Sequence, residues 1–529
     1  MTYAAYMNFF AFVGIAFLVY LIVPLKHRWV TLLAAGVVFY LVLNGFLTAF
    51  LAVTVVSVFF CAKQLEKLQN GFNAKKKELS KDERKQLKNA VTNKKKAVVA
   101  LAVVINLGIL VFLKYYNFFA GQISALWQVC GFSGSMPVLR LLLPLGISYY
   151  TLQAIGYVVD VYRGRCAAEK NLGKLALFIS FFPQMTEGPI GRYQDLAPQL
   201  TQGHRYTNEN FTGGMTLILW GLFKKMVISD RASFMANTVF KDYESYSGTM
   251  VVVAVILYTI QLYTDFSGCI DIMSGTARLF GIRLADNFRQ PFFAKSVAEF
   301  WRRWHITLGT WFKDYVFYPV SLSTPFTKLS KASQKHFNKF FGAFVPTAAA
   351  LLIVWLGTGL WHGASTKYIV YGLYYFLLIM LGMLFEPLAV KLFAKTKINR
   401  KGKLWGGIAT VRTVLLVLIG MMLFRAGNEG DFFNMLGMAV TKFNVTDLFS
   451  KQLFELGTDG PDFLVIFIGV VLMLVVAILK ERGHDVLKSV ATGRLPLKWA
   501  VMIGLIMAVV IFGAYGASYA PVDPIYAQF

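Results

Sequence analysis

The chain has 529 residues, 57% of them apolar and only 15% charged, where ordinary globular domains are roughly 45–50% apolar and about a quarter charged. That balance excludes a water-soluble globular domain. A net charge of +26 would suggest nucleic acid in a soluble protein. Here the lysines and arginines lie in short loops between apolar runs, as in cytoplasmic loops of membrane proteins, and no nucleic-acid partner is expected.

In chain order the apolar runs predict about twelve spanning helices, since a span takes about 20 apolar residues and only helices or closed barrels satisfy the backbone in lipid. The predicted spans are 7–24, 30–44, 46–62, 97–115, 139–159, 213–229, 249–264, 343–361, 367–385, 405–424, 463–479 and 499–518. These runs are too long and continuous for barrel strands, so the predicted fold class is an all-α integral membrane protein. Met1–Asn8 carries no basic residue and no small-residue cleavage site follows the first run, so no cleaved signal peptide is expected. Lys63–Lys96, with twelve Lys/Arg against four Asp/Glu, is rich in helix formers and predicts a solvated helical hairpin. Residues 164–212 and 265–342 are too polar to face lipid and too apolar for a wet domain. They predict re-entrant or interfacial segments around a central chamber, because irregular backbone at membrane depth must be buried in protein or line a cavity. The resulting organisation is 1–136, N-terminal spans with the basic loop; 137–390, a core holding the polar motifs; and 391–529, C-terminal spans.

With basic loops inside, Lys26–Arg28, Lys63–Lys96, Arg163–Lys174, Lys328–Lys339, Lys391–Lys403 and Lys480–Lys498 are cytoplasmic and both termini lie outside. The loop Gly427–Asp462, with six acidic residues and two lysines, then also falls outside. Lys224 and Lys225 break the pattern, falling at an outer end unless span 213–229 is re-entrant. Cys61, Cys130, Cys166 and Cys269 lie far apart without metal-ligand spacing, so neither a disulfide framework nor a metal site is expected.

Ser296–Tyr315 reads as one helix, started by the capping-box spacing of Ser296 and Glu299. Trp301, Trp304, His305, Leu308, Trp311, Phe312 and Tyr315 share a face. It is either an interfacial aromatic helix anchored by Arg302 and Arg303, or a chamber wall where those arginines, with Trp301 and Trp304, bind the phosphates of a donor. In Trp355–Ser365, Trp355, Gly359 and His362 share a face, and Gly357, Gly359 and Gly363 permit close approach. His362 at a span end is either a hydrogen-bonded structural histidine or a functional one, and imidazole suits general-base work near neutrality. Asp265 and Asp271, flanking Phe266-Ser267-Gly268, read as a polar network holding a helix break. Asp160 and Arg163 read as a pair, and Phe181–Ile190, with two prolines and a glycine around Glu187, as a re-entrant turn. The chamber-lining candidates are Asp265, Ser267, Glu187, Gln153 and Asp314, with Tyr149 and Tyr150 beside Gln153. His27, His204, His336 and His484 are expected to be solvated.

From about Leu143 to Phe376 these motifs resemble the membrane-bound O-acyltransferases, in the bacterial branch that holds alginate O-acetyltransferase and the D-alanyl transfer protein of teichoic acid synthesis. The blocks are Pro144–Gln153, Asp160–Arg163, Phe181–Tyr193, Asp265–Gly268, Asn287–Pro291, Phe300–Tyr318 and Thr358–Ser365, and Pro524–Phe529 resembles the alginate-type ending. Their order, with Trp301-Arg302-Arg303-Trp304-His305 followed by Leu360-Trp361-His362-Gly363, makes the likeness specific. The chain departs from it at Cys269, where a tyrosine is common, at Met185-Thr186-Glu187, and in a loop after Tyr318 without a glycine-rich sequence. The resemblance implies a helical ring around a thin chamber, with His362 matching the family's essential histidine and His305 its second polar one.

The expected function is transfer of an acyl group, acetyl first, from a cytoplasmic thioester such as acetyl-CoA. The acceptor is a hydroxyl of an exported polysaccharide or of an extracytoplasmic partner of the SGNH or esterase-like kind. His362 would be the general base, and His305 would orient the donor or stabilise the oxyanion. No tightly bound cofactor is expected, and the expected location is a bacterial cell membrane. D-alanyl transfer from a carrier protein is the alternative within the class. A transporter using Asp265, Asp271 and Glu187 as its pathway is the alternative outside it.

Overall fold

The computed structural model describes residues 3–185, 187–396, 399–400 and 402–515; Thr186, the Pro524–Phe529 ending and the extreme ends whose sidedness was predicted lie outside the described residues. All regular structure among the described residues is helical, and ten helical stretches are long and apolar enough to cross a membrane. Each of the about twelve predicted spans has a helix, and the count differs at two places. After α1 (Tyr3–Ile22), α2 (Arg28–Asn44) and α3 (Thr48–Lys75) join through Gly45 at φ 52° into one continuous stretch. After α4 (Lys81–Val129), α5 (Ile147–Arg163) is a 17-residue helix that starts at Ile147, not at 139. The residues before it are extended, because Pro137 and Pro144 lack the N–H a helix needs and Gly146 turns the chain at φ 79°.

The chain divides into two compact units that interleave along the sequence: Met7–Gly214 with Thr276–Ala285, and Met1–Tyr6 with Met215–Gly275 and Asp286–Phe529. In the first, the basic segment folds as the expected helical hairpin. α3 runs out to Lys75, and α4 starts on a capping box between Ser80 and Glu83. At 49 residues, α4 is about 73 Å long, far more than the ~30 Å hydrocarbon core. Arg28, expected in a cytoplasmic loop, is buried. It caps the end of α1, donating to the carbonyls of Val23 (3.0 Å), Leu21 (2.9 Å) and His204. His204 is likewise half-buried rather than solvated: its Nε2 lies 2.8 Å from the Gln199 carbonyl, and its backbone N–H donates to Tyr20 Oη. Gly36 lets α2 reach the carbonyl of Ser180 at the end of α6 (Leu172–Ser180), where a Cβ would overlap it.

α7 (Asn208–Leu222), in the second unit from Met215 on, passes through a π-helical segment, Phe223–Ser229, into α8 (Asp230–Lys241), whose Phe240 ring meets Tyr258 of α9 (Gly248–Leu279, in this unit as far as Gly275). α9 is continuous through Phe266-Ser267-Gly268, so the predicted helix break is absent. The two aspartates instead serve the lysines that had no account. Lys224 pairs with Asp271 (2.9 Å) and donates to Ser267 Oγ (2.9 Å); Lys225 pairs with Asp265 (2.7 Å) and Asp230 (2.8 Å). Gly221 and Gly268 permit this, since a Cβ on Gly221 would stand 2.5 Å from the Gly268 carbonyl oxygen. The lysines escape the basic-loop rule because they are neutralised inside protein. Asp160, in the first unit, pairs with Arg165 at 3.3 Å.

Candidate active site

The aromatic segment is two short helices. α10 (Val297–Arg303) starts where Ser296 Oγ accepts the Glu299 N–H at 3.2 Å, and Glu299 reaches back to the N–H of Lys295 (2.9 Å) rather than of Ser296. It stops at Arg303. Trp304 is extended, His305 is left-handed at φ 45°, and α11 (Ile306–Phe312) follows. The single helix predicted for Ser296–Tyr315 is interrupted because another part of the chain takes its hydrogen-bonding groups. The Asn287 carbonyl accepts the Ile306 N–H (3.0 Å), and Arg289 N–H donates to the Arg303 carbonyl (2.9 Å). The buried Asn287 side chain completes the joint: its Oδ1 accepts from Thr307 N–H (3.1 Å) and Thr307 Oγ (2.8 Å) and lies 3.2 Å from His305 Nδ1.

That joint fixes a tautomer. A backbone N–H can only donate, so the amide atom facing Thr307 is the oxygen. His305 Nδ1 must then be the donor, which puts the lone pair of the neutral ring on Nε2. Burial, and after it the nearby His362, hold the His305 imidazole well below its ordinary pKa, so the ring is neutral at pH 7.

His362 is the last residue of α12 (Lys339–His362), which packs on α13 (Thr366–Thr396). The glycines do what their spacing suggested. A Cβ on Gly359 would overlap the Tyr368 carbonyl, one on Gly372 would overlap that of Trp355, and one on Gly363 would strike the Tyr368 ring. A Cβ on Gly357 would stand 3.1 Å from the ring of Phe312. The His362 ring is buried among Trp361, Tyr371 and Phe424, at centroid distances of 5.1, 5.8 and 5.1 Å. Trp361 also meets His305, at 5.6 Å.

Both histidines line one cavity of about 490 Å³, walled largely by apolar and aromatic side chains from α10, α11 and α12. Trp301, Trp304 and Arg302 line it too, and Arg302 is exposed. Arg303 does not line it; it is held by Glu299 at 2.9 Å and by Glu481. Asp265 and Ser267 belong to the lysine network, and Asp314 sits half-buried on a π-helical turn, Lys313–Phe317, outside the cavity lining. Gln153 and Glu187 are buried in the first unit, where Gln153 donates to Gln184 Oε1 at 3.0 Å. Sequence reasoning gave no role to three residues here: Asn287 and the cavity-lining Thr358, each named only as the first residue of a motif block, and Lys313, a second exposed cation on the cavity. Lys313 carried a legible signal, a further cation on the aromatic segment of Arg302 and Arg303, whereas Asn287 carried only its place at the start of a motif block.

Residues 168–423 match the family model described as MBOAT, membrane-bound O-acyltransferase family. Among curated proteins the chain is 35% identical over 328 residues to the probable alginate O-acetylase AlgI of Pseudomonas syringae pv. tomato, covering 62% of this chain and 57% of that protein. It is 31% identical over 305 residues to the peptidoglycan O-acetyltransferase of Helicobacter pylori, covering 53% and 54%. It is 29% identical over 248 residues to the teichoic acid D-alanyltransferase of Bacillus subtilis, covering 46% and 59%. The chain thus spans a little over half the length of each of these relatives. The matched stretch contains His305, His362 and the whole cavity between them, so the likeness of this multi-pass membrane chain to the membrane-bound O-acyltransferase family takes in its candidate site.

Proposed function

We propose that the protein is an O-acyltransferase that moves an acyl group, acetyl first, from a thioester to a hydroxyl of a cell-surface polymer or of an extracytoplasmic partner acyltransferase. The observation that carries this reading is the pairing of two buried histidines on one apolar cavity edged by exposed cations. His362 takes the proton of the attacking hydroxyl as its oxygen bonds to the thioester carbonyl carbon. The carbon–sulfur bond then breaks, and the proton passes to the leaving thiolate, giving ester and thiol. His305, neutral with its lone pair on Nε2, orients the incoming groups. Arg302 and Lys313 face the phosphates of a coenzyme A-type donor, and the apolar walls keep water from hydrolysing the thioester. Arg303, bound to two carboxylates, has no part in it.

The relatives' names support acetyl transfer to a polysaccharide over D-alanyl transfer, through the higher identity and longer match of the alginate and peptidoglycan proteins. A bacterial inner membrane fits those acceptors. A transport pathway through Asp265 and Asp271 is disfavoured, because lysines neutralise both. The deciding experiment is His362→Gln, with acyl groups on the exported polymer measured beside protein level in the membrane. Loss of a general base costs about 10²–10⁴-fold, so full protein with almost no acylation is expected. Near-normal acylation would make His362 structural and end the proposal.

A further inference from the structure

Away from the histidines, α14 (Lys403–Arg425) bears an open groove of about 970 Å³, lined by apolar residues together with Lys403 and Arg412. Leu404, Ile408, Val411 and Leu415 form its exposed stripe at helical spacing. The stripe alone says only that lipid covers the helix; the charges say more. Arg412 lies nine residues past Lys403, about 13 Å along the axis, and an arginine that deep in a span is costly and ordinarily paired. Yet Arg412 is exposed, and its Nη2 donates to the carbonyl of Lys295 at 3.0 Å. Lys295 is exposed as well, its Nζ lying 3.5 Å from where a Gly406 Cβ would stand. Among the described residues none of these three cations forms an ion pair with a carboxylate.

We propose that this groove is a binding site for an anionic phospholipid. Lys403, Arg412 and Lys295 hold the phosphate, and one acyl chain lies along the stripe. Guanidinium and ammonium groups both suit phosphate oxygens, and a net-negative headgroup is favoured because a zwitterionic one would bring its own cation to the three already there. The site also touches the proposed catalytic region. The Lys295 N–H donates to Glu299 at the start of α10, whose Trp301 and Arg302 line the histidine cavity.

The test is native mass spectrometry of the purified full chain, titrated with phosphatidylglycerol or phosphatidylcholine of identical chains. Phosphatidylglycerol should be retained at least tenfold more tightly. Lys403→Gln with Arg412→Gln should reduce it to the phosphatidylcholine level, and millimolar inorganic phosphate should not displace it. Arg400→Gln, which removes a separate exposed pair with Glu386, should change nothing. Equal retention of the two lipids, unchanged phosphatidylglycerol retention in the double variant, or displacement by free phosphate would overturn the proposal. Should the double variant fail to fold, the wild-type comparison and Lys403→Gln alone still decide. No acylation assay enters, so this result and the His362 result stand or fall separately.

Discussion

His305 is one of two non-glycine residues with positive φ among the described residues, the other being Gln290. Such a conformation costs about 1–3 kcal/mol and persists only where the surroundings impose it. Here the imposing group is Asn287, through three contacts of one carboxamide oxygen. We expect Asn287→Ala to destabilise the protein by about 1–3 kcal/mol, from loss of a buried acceptor, and to lower turnover by about 10²-fold, the scale of a misplaced catalytic group. Asn287→Asp keeps the acceptor and should restore much of the stability. Its charge would favour the imidazolium, so His305 would protonate at higher pH than in the wild type and the activity loss should deepen as pH falls from 8 to 6. A purely structural Asn287 would give the aspartate variant an unshifted pH profile. Of this joint, His305 was legible as a polar residue on an aromatic segment. Asn287 stood only at the start of a motif block, and its role was not legible, since an asparagine in a polar connection gives no local sign of the residue it will hold.

At the scale of elements, one helix pair positions His362 and a second packing, away from the cavity, holds the lysine–aspartate network. α12 and α13 are drawn together by Gly359 and Gly372, each placed where the opposite carbonyl leaves no room for a Cβ. Gly359→Ala should push the helices apart, costing about 1–3 kcal/mol as overpacking does, and should weaken acylation because His362 sits three residues on. A melting temperature in detergent matching the wild type would count against this packing. The second pair, α7–α8 against α9, is locked by Lys225 between Asp265 and Asp230. Lys225→Met removes the cation that pairs with both Asp265 and Asp230, and breaking a buried pair typically costs about 3–5 kcal/mol. Lys225→Met with Asp265→Asn should recover part of that stability. Failure of the second substitution to recover any would show that the two charges are not coupled. Aspartates 265 and 271 were visible in the sequence as intramembrane acids. Their partners were visible too, as Lys224 and Lys225, but charge counting along a chain cannot pair residues that are forty positions apart.

For the whole molecule, the basic hairpin of α3 and α4 gives the topology its clearest test. A single cysteine at Ser80, on the hairpin tip, should resist an impermeant reagent in intact cells and react after lysis, while one at Thr446 in the acidic loop should react at once. Labelling of residue 80 from outside would reverse the orientation. The sequence by itself determined that this is an all-helical, multi-pass chain with a helical basic hairpin, because apolar length and the need to satisfy every backbone group in lipid are properties of continuous segments. Through its resemblance to the family it also pointed to the stretch that holds His305 and His362, which the structure brings to one cavity. Only the tertiary structure decided that the aromatic helix breaks at His305, that Arg302 lines the cavity while Arg303 is held by Glu299 and Glu481, and that the misplaced lysines are buried counter-ions. The physical reason is the same in each case. A hydrogen bond or ion pair from a distant segment outweighs local periodicity, and the His305 turn is set by a residue eighteen positions away.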